Sequence, residues 1–235
     1  METFPAAIIS AGLFLCLVSA SSYVFWRKAW FFRNPERTAP QGEKVVSPAD
    51  GTVVYVERRS PCEPVVSVKK NRPVRISDIV KEDMEEQKLL IGIFMSPFDV
   101  HYNRAPISGR VDFIRHHPAE GKNRHMTSMH WRTLLNRMPL YFGSLHVLVN
   151  ERTVTRLTGI FKGEAVSCYL VQIAGGSVCG IDSYIAPGDR LNKGEIFGMI
   201  RIGSQVDMVI SWKDFMKVNV RPGDNVRAGE SVLIE

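Results

Sequence analysis

The chain is poor in the groups that usually stage demanding chemistry. Its four cysteines, at 16, 62, 168 and 179, lie far apart and form no C-x-x-C pair. That spacing argues against a zinc site or a disulfide framework and fits a reducing compartment. Neither a Walker nor a Rossmann glycine pattern is present, and no lysine stands in a context that suggests pyridoxal phosphate. RNA- and DNA-binding motifs are missing too, so the basic charge points elsewhere than nucleic acid. The N-terminus carries Glu2 and no cation ahead of its apolar run, which argues against a cleaved signal peptide.

What is present suggests one domain and an anchor. With 235 residues, 45% hydrophobic and 23% charged, the chain can bury one good-sized core. A net charge of +6 calls for an anionic partner, and beside an apolar segment an anionic membrane surface is the natural one. Ala6 to Trp26 is an uncharged run of 21 residues, long enough to cross a hydrocarbon layer of about 30 Å as a helix. Arg27, Lys28, Arg33 and Arg37 follow it, so the positive-inside rule puts the rest of the chain on the cytoplasmic side of the inner membrane. Trp26, Trp30, Phe31 and Phe32 would form an aromatic belt. The expected division is a membrane anchor over 1–30 and a catalytic body over 31–235.

In the body, Val45 to Val56 reads as a strand after the turn Ser47-Pro-Ala-Asp50-Gly51. Spacing alone makes Asp50 a turn residue. The acidic stretch Ser77 to Leu90 predicts a short helix, and Leu89 to Met95 a buried strand delivering Asp99-Val-His101. A lone histidine at a strand end is ordinarily structural. His116, His117, His125 and His130 lie among Lys122, Arg124 and Arg132; without a carboxylate or cysteine at ligand spacing, they read as a basic loop against lipid headgroups and no metal site is expected. Leu145 to Arg152 predicts a strand with His146 in its core or at its edge, and Val166 to Ala174 another. Pro187-Gly-Asp-Arg-Leu-Asn-Lys-Gly-Glu195 recurs 35 residues later as Pro222-Gly-Asp-Asn-Val-Arg-Ala-Gly-Glu230. Ser47 to Val53 is likewise echoed by Ala105 to Val111. Both patterns are similar to those of lipoyl and biotinyl carrier domains. The fold class expected is therefore mainly β, a flattened barrel of paired hammerhead units with few short helices, plus the transmembrane helix.

The most informative stretch is Phe197-Gly-Met-Ile-Arg-Ile-Gly203-Ser204-Gln-Val-Asp207, two short strands meeting at Gly203-Ser204. By itself a Gly-Ser pair is a turn. In this setting it resembles the self-processing site of the phosphatidylserine decarboxylases in their short, single-span form, and Ser-Pro-Ala-Asp-Gly and Asp-x-His belong to the same resemblance. The resemblance runs from about Phe31 to the C-terminus. Two departures stand out: Arg104, where longer members have a second histidine, and Gln205, where many relatives have Ser, Thr or Arg.

The resemblance implies a proenzyme that cuts itself between Gly203 and Ser204 into 1–203 and 204–235, leaving a pyruvoyl cofactor made from Ser204. It also implies a Schiff base with the serine headgroup of phosphatidylserine, loss of carbon dioxide, and release of phosphatidylethanolamine. His101 becomes the candidate proton donor or base, and Asp50 a residue of self-processing. The two cleavage products would stay associated, and homo-oligomerisation is left open. A related serine lipid, archaetidylserine, would satisfy the same motifs. A membrane-anchored hammerhead module that binds or carries without catalysis would explain the repeats and the anchor, but not the three motifs together, and no lysine suits a carrier's hairpin tip.

Overall fold

The computed structural model describes residues 3–61, 83, 85–119, 121–141, 149–176, 180–201 and 203–235. The expected strand segment around His146 and residues 77–82 and 84 of the acidic stretch lie outside the described residues. The chain divides into two units, Met1–Pro35 and Glu36–Glu235.

The first unit is helix α1 (Thr3–Phe25) continued by one π-helical turn over Trp26–Trp30. Within Ile8–Trp30 an 18-residue stretch has a mean hydropathy of 2.0, which makes the helix long and apolar enough to cross a membrane. At its end cations lie over aromatic rings: Arg27 is 5.2 Å from the Phe31 ring centroid and Arg33 is 4.3 Å from that of Trp30.

The second unit is mainly β. Its strands are β1 (Val45–Val46), β2 (Gly51–Arg59), β3 (Lys88–Met95), β4 (Tyr102–Arg104), β5 (Gly109–His117), β6 (Arg152–Phe161) and β7 (Glu164–Ile173), followed by β8 (Ile181–Ser183), β9 (Arg190–Leu191), β10 (Ile196–Ile200), β11 (Ser204–Ser211), β12 (Asn225–Val226) and β13 (Val232–Ile234). Helix α2 (Thr127–Leu134) lies between β5 and β6. Eight strands form one curled half-barrel sheet in the order β12-β2-β3-β11-β7-β6-β5-β9, and β4-β10-β8 form a second sheet. The central strands β3 and β11 are buried at every residue; cover on both faces explains the near-continuous apolar run of β3, whereas β11 buries Ser204, Gln205, Asp207 and Ser211 among its apolar residues. On β11, Val206, Met208 and Ile210 enter one core, while Val209 joins Phe94, Tyr169, Met126 and Met129 in the other. Each fully buried aliphatic side chain contributes about 1.5–3 kcal/mol.

The repeats seen in the sequence are two matching halves of the large sheet. Gly188 N donates to Val111 O at 2.7 Å and Gly223 N to Val53 O at 2.8 Å; Gly194 N bonds Ala105 O and Gly229 N bonds Ser47 O, both at 2.8 Å. β12 pairs with β2 as β9 pairs with β5, and bulges fall at matching places, Val53/Tyr55 and Val111/Phe113. The four repeat glycines have φ between +75° and +101°, a region other residues enter at a cost.

Two expectations are corrected. The helix expected over Ser77–Leu90 cannot reach its end, because Lys88–Leu90 already belong to β3, whose apolar run fills the core. His116 and His117 close strand β5 and His130 sits in α2, so these residues do not form one basic loop.

Candidate active site

Gly203 and Ser204 lie where the chain passes from the small sheet to the large one. β10 ends at Ile200 and β11 begins at Ser204, whose ladder partner is Met95, the last residue of β3. The chain leaving Met95 enters β4 at Tyr102, which pairs with Met199 of β10. Two crossings, one over 96–101 and one from β10 to β11, therefore join the same paired strand ends. One carries Asp99 and His101, the other Gly203. His101 O accepts a hydrogen bond from Ile200 N at 3.3 Å, extending the β4–β10 ladder to the edge of the crossing.

Gly203 has φ +55°, and among the described residues nothing lies within 4 Å of where a Cβ would sit. Glycine is thus favoured there by backbone conformation and not by crowding. Ser204 is fully buried, and its hydroxyl lies 3.2 Å from Met95 Sδ, a weak acceptor. Behind that sulfur, Asn103 Nδ2 approaches Met95 Sδ at 3.7 Å and Gln172 Nε2 donates to Asn103 Oδ1 at 2.8 Å. A serine hydroxyl that donates to a thioether keeps its oxygen lone pairs for attack on a carbonyl.

His101 is fully buried, with Nδ1 2.9 Å from Asp99 O. A carbonyl oxygen can only accept, so Nδ1 carries the hydrogen and Nε2 is the ring nitrogen that takes up a proton. Asp99 shapes the turn itself: its carboxylate accepts from Ser96 N at 2.7 Å and its amide donates to Ser96 O at 3.0 Å.

Asp50 occupies a different cluster. Its carboxylate accepts from Ala228 N at 2.7 Å and from Arg37 at 2.9 Å, and Arg37 also reaches Glu230 at 2.7 Å. Burial lifts the Asp50 carboxyl above its ordinary value, outweighing the downward pull of Ala228 N and Arg37, while Asp99 adds a smaller upward push. Ser108 holds the matching place in the other half, accepting from Lys193 N at 2.9 Å. The backbone bond is thus common to both halves, and the buried charge with its arginine belongs to Asp50 alone. Arg104 also serves the repeat: its guanidinium donates to Gly194 O at 2.9 Å. On the other face of β11, Gln205 Nε2 donates to Tyr55 OH at 2.9 Å and to Asp207 at 2.6 Å.

Reading the sequence missed the wall of the site. A cavity of about 160 Å³ opens beside Gly203 and is lined by Phe94, Pro97, His125, Met126, Thr127, His130 and Gly176. His130 is turned inward by α2 and lies 6.3 Å, ring to ring, from Phe94. The available signal was the apolar spacing of Met126 and Met129, which marks that side of the helix as buried. Cys168 offers no competing nucleophile, since complete burial pushes its thiol well above the usual range. Among the described residues, no three His, Cys, Asp or Glu side chains gather as a metal-binding set.

A buried serine behind a left-handed glycine, in a sheet built of two hammerhead halves, agrees with the lipid decarboxylases that the motifs resemble. The family model for phosphatidylserine decarboxylase matches residues 26–234, and the chain belongs to that family. It is 33% identical over 241 residues to a provisionally named archaetidylserine decarboxylase proenzyme of Methanopyrus kandleri, covering 98% of this chain and 93% of the relative. Two phosphatidylserine decarboxylase proenzymes are similar at the same level: that of Chlorobium luteolum at 30% identity, covering 98% and 92%, and that of Desulfotalea psychrophila at 32%, covering 96% and 91%. Membership in a decarboxylase family favours catalysis over the carrier reading.

Proposed function

We propose that the chain is a proenzyme that cuts itself between Gly203 and Ser204 and then decarboxylates the serine headgroup of a membrane phospholipid, phosphatidylserine in the first instance. The observation that carries this reading is the left-handed Gly203 joined to the fully buried Ser204, alongside the segment that bears His101. Ser204 Oγ attacks the carbonyl carbon of Gly203 and gives up its proton to a base; the amide nitrogen leaves, and the acyl group now rests on oxygen as an ester. Removal of the Ser204 Cα proton expels the Gly203 carboxylate. Water then replaces nitrogen, releasing ammonia and leaving a ketone at position 204.

The residues fit such a group. Ser204 supplies every carbon of it, and Gly203 leaves open space on the side where a Cβ would stand. A pyruvoyl carbonyl supplies the electron sink that ordinary side chains lack. The chain's own residues do the rest. His101, with Nε2 as its basic nitrogen, moves the proton that comes to Cα as carbon dioxide departs. Phe94, Met126 and Pro97 keep water from the cavity, and Asp50, held by Arg37, stabilises the fold around the crossing during self-processing. The anchor, 1–30, holds the body of 31–235 against the cytoplasmic face of the inner membrane, where the basic residues after it meet anionic lipid.

Intact mass of the detergent-solubilised protein tests the reading. Two chains ending at 203 and beginning at 204 are expected, the smaller lighter by one ammonia than a serine-initiated peptide. Ser204→Ala should stay a single chain. An active, folded preparation with only uncut chain would overturn the proposal. Because relatives are named for both lipids, supplying phosphatidylserine and archaetidylserine separately decides the glycerolipid backbone.

A further inference from the structure

Helix α2 shows an apolar face to the outside. Met126 and Met129 point into the core, whereas Trp131, Leu134, Leu135 and Met138 are 54%, 64%, 53% and 53% exposed. Trp131 and Leu134, three apart, form a short apolar stripe on the last turns of α2, and Leu135 and Met138 add exposed apolar surface in the turn past the helix end. Phe98, next to Pro97 at the cavity wall, is exposed as well. A helix of a water-soluble surface carries polar residues on such a face.

The charge around the stripe identifies what covers it. From Gly121 to Asn150 the sequence contains no Asp or Glu, and it contains Lys122, Arg124, Arg132 and Arg137. A second copy would bring the same cations against themselves. An anionic lipid leaflet offers apolar depth for the stripe and negative headgroups for its flanks, the combination that holds an interfacial helix.

We infer that α2 and the turn after it form an interfacial docking surface, dipping Trp131, Leu134, Leu135 and Met138 into an anionic leaflet. The inner side of the same helix lines the cavity at Gly203 through Met126, Thr127 and His130. Docking thus holds the mouth of that cavity at headgroup depth. The docking does not depend on the chemistry proposed at Ser204, so failure of one leaves the other standing.

The test places a benzoylphenylalanine photoprobe at residue 134 of the full chain, reconstituted in vesicles of phosphatidylcholine with phosphatidylglycerol, an anionic lipid that lacks the serine amine. A probe at residue 15, in α1, reports that the chain has inserted. A probe at residue 160, where Ile160 is 71% exposed at the opposite end of β6, reports indiscriminate adsorption. Lipid adducts are expected at 134 and 15 but not at 160. The yield at 134 should fall about fivefold or more without phosphatidylglycerol, since each surface cation contributes on the order of a fivefold preference for anionic lipid. Protein–protein adducts at 134, equal lipid adducts at 160, or no adduct at 134 while 15 reacts would each overturn the inference.

Discussion

Replacing Gly203 by alanine separates the two demands placed on the proposed cleavage site. Among the described residues nothing lies within 4 Å of the added Cβ, so the core should be unchanged. The backbone is another matter. At φ +55° an alanine costs about 1–2 kcal/mol relative to its ordinary conformations. If Ser204 attacks from this left-handed arrangement, the competent population falls by about 5- to 30-fold. The cleavage rate should fall by the same factor, with Tm lowered by only a few degrees. Intact mass or gel separation of uncut and cut chains over a time course after synthesis measures the rate, and far-UV circular dichroism confirms the sheet. A rate within twofold of the parent in a folded G203A protein would refute the claim that left-handed geometry prepares the bond. A collapse of the fold would refute the claim that the site is spacious.

Further outcomes follow from the same geometry. His101→Ala should lower turnover on lipid by about 10²- to 10⁴-fold, and scoring cleavage and decarboxylation on the same preparation shows which step uses the imidazole. Asp50 is held above its ordinary 3.8 by burial, so its contribution to stability is complete at low pH and is lost as pH rises from 3.8 through the native value. Asp50→Asn, which can still accept from Ala228 N, should therefore flatten the dependence of Tm on pH across that range; an unaltered slope would mean the carboxyl is not displaced upward. Tyr55→Phe withdraws one of the two acceptors of Gln205 Nε2, Asp207 being the other, at an expected cost of about 1 kcal/mol in urea unfolding. Gly92→Ala would bring a Cβ to 2.3 Å from the Tyr55 ring, and overpacking of that kind costs about 1–3 kcal/mol, read as a lower urea midpoint.

The sequence displayed the parts of this fold whose cause is local. β3 and β7 could be read because strands covered on both faces have few polar residues to interrupt them. The glycine-bearing turns at 187–195 and 222–230 could be read because backbone conformation restricts their composition. β5 and β6 were not anticipated: their mixture of Thr, Arg and His reflects half-burial at one side of a sheet, where alternation is weak. Acidic composition suggested a helix running through Lys88–Leu90, and tertiary pairing with β11 prevailed. At the site, Ser204 and His101 were visible through their motifs. The cavity beside them was not, because its walls come from strand ends and a helix far apart in sequence. His130 stands among cations in the sequence and faces a buried wall only after α2 packs. Asp50 read first as a turn residue, and its bond to Ala228 N, matched by Ser108 with Lys193 N in the other half, is a tertiary contact between distant turns that local spacing does not reveal.

Strand β11 lies between β3 and β7, hydrogen-bonded to both, and it is made after both of them. The sheet thus stays split down its middle until β11 has followed its two neighbours. Closing it requires a late segment to slide between two earlier ones, the kind of long-range contact that forms slowly. If the bond before Ser204 breaks only in the finished ladder, then cleavage is a timestamp of completed folding. A chain stalled, truncated or misregistered in that segment would carry no reactive carbonyl and leave its lipids untouched.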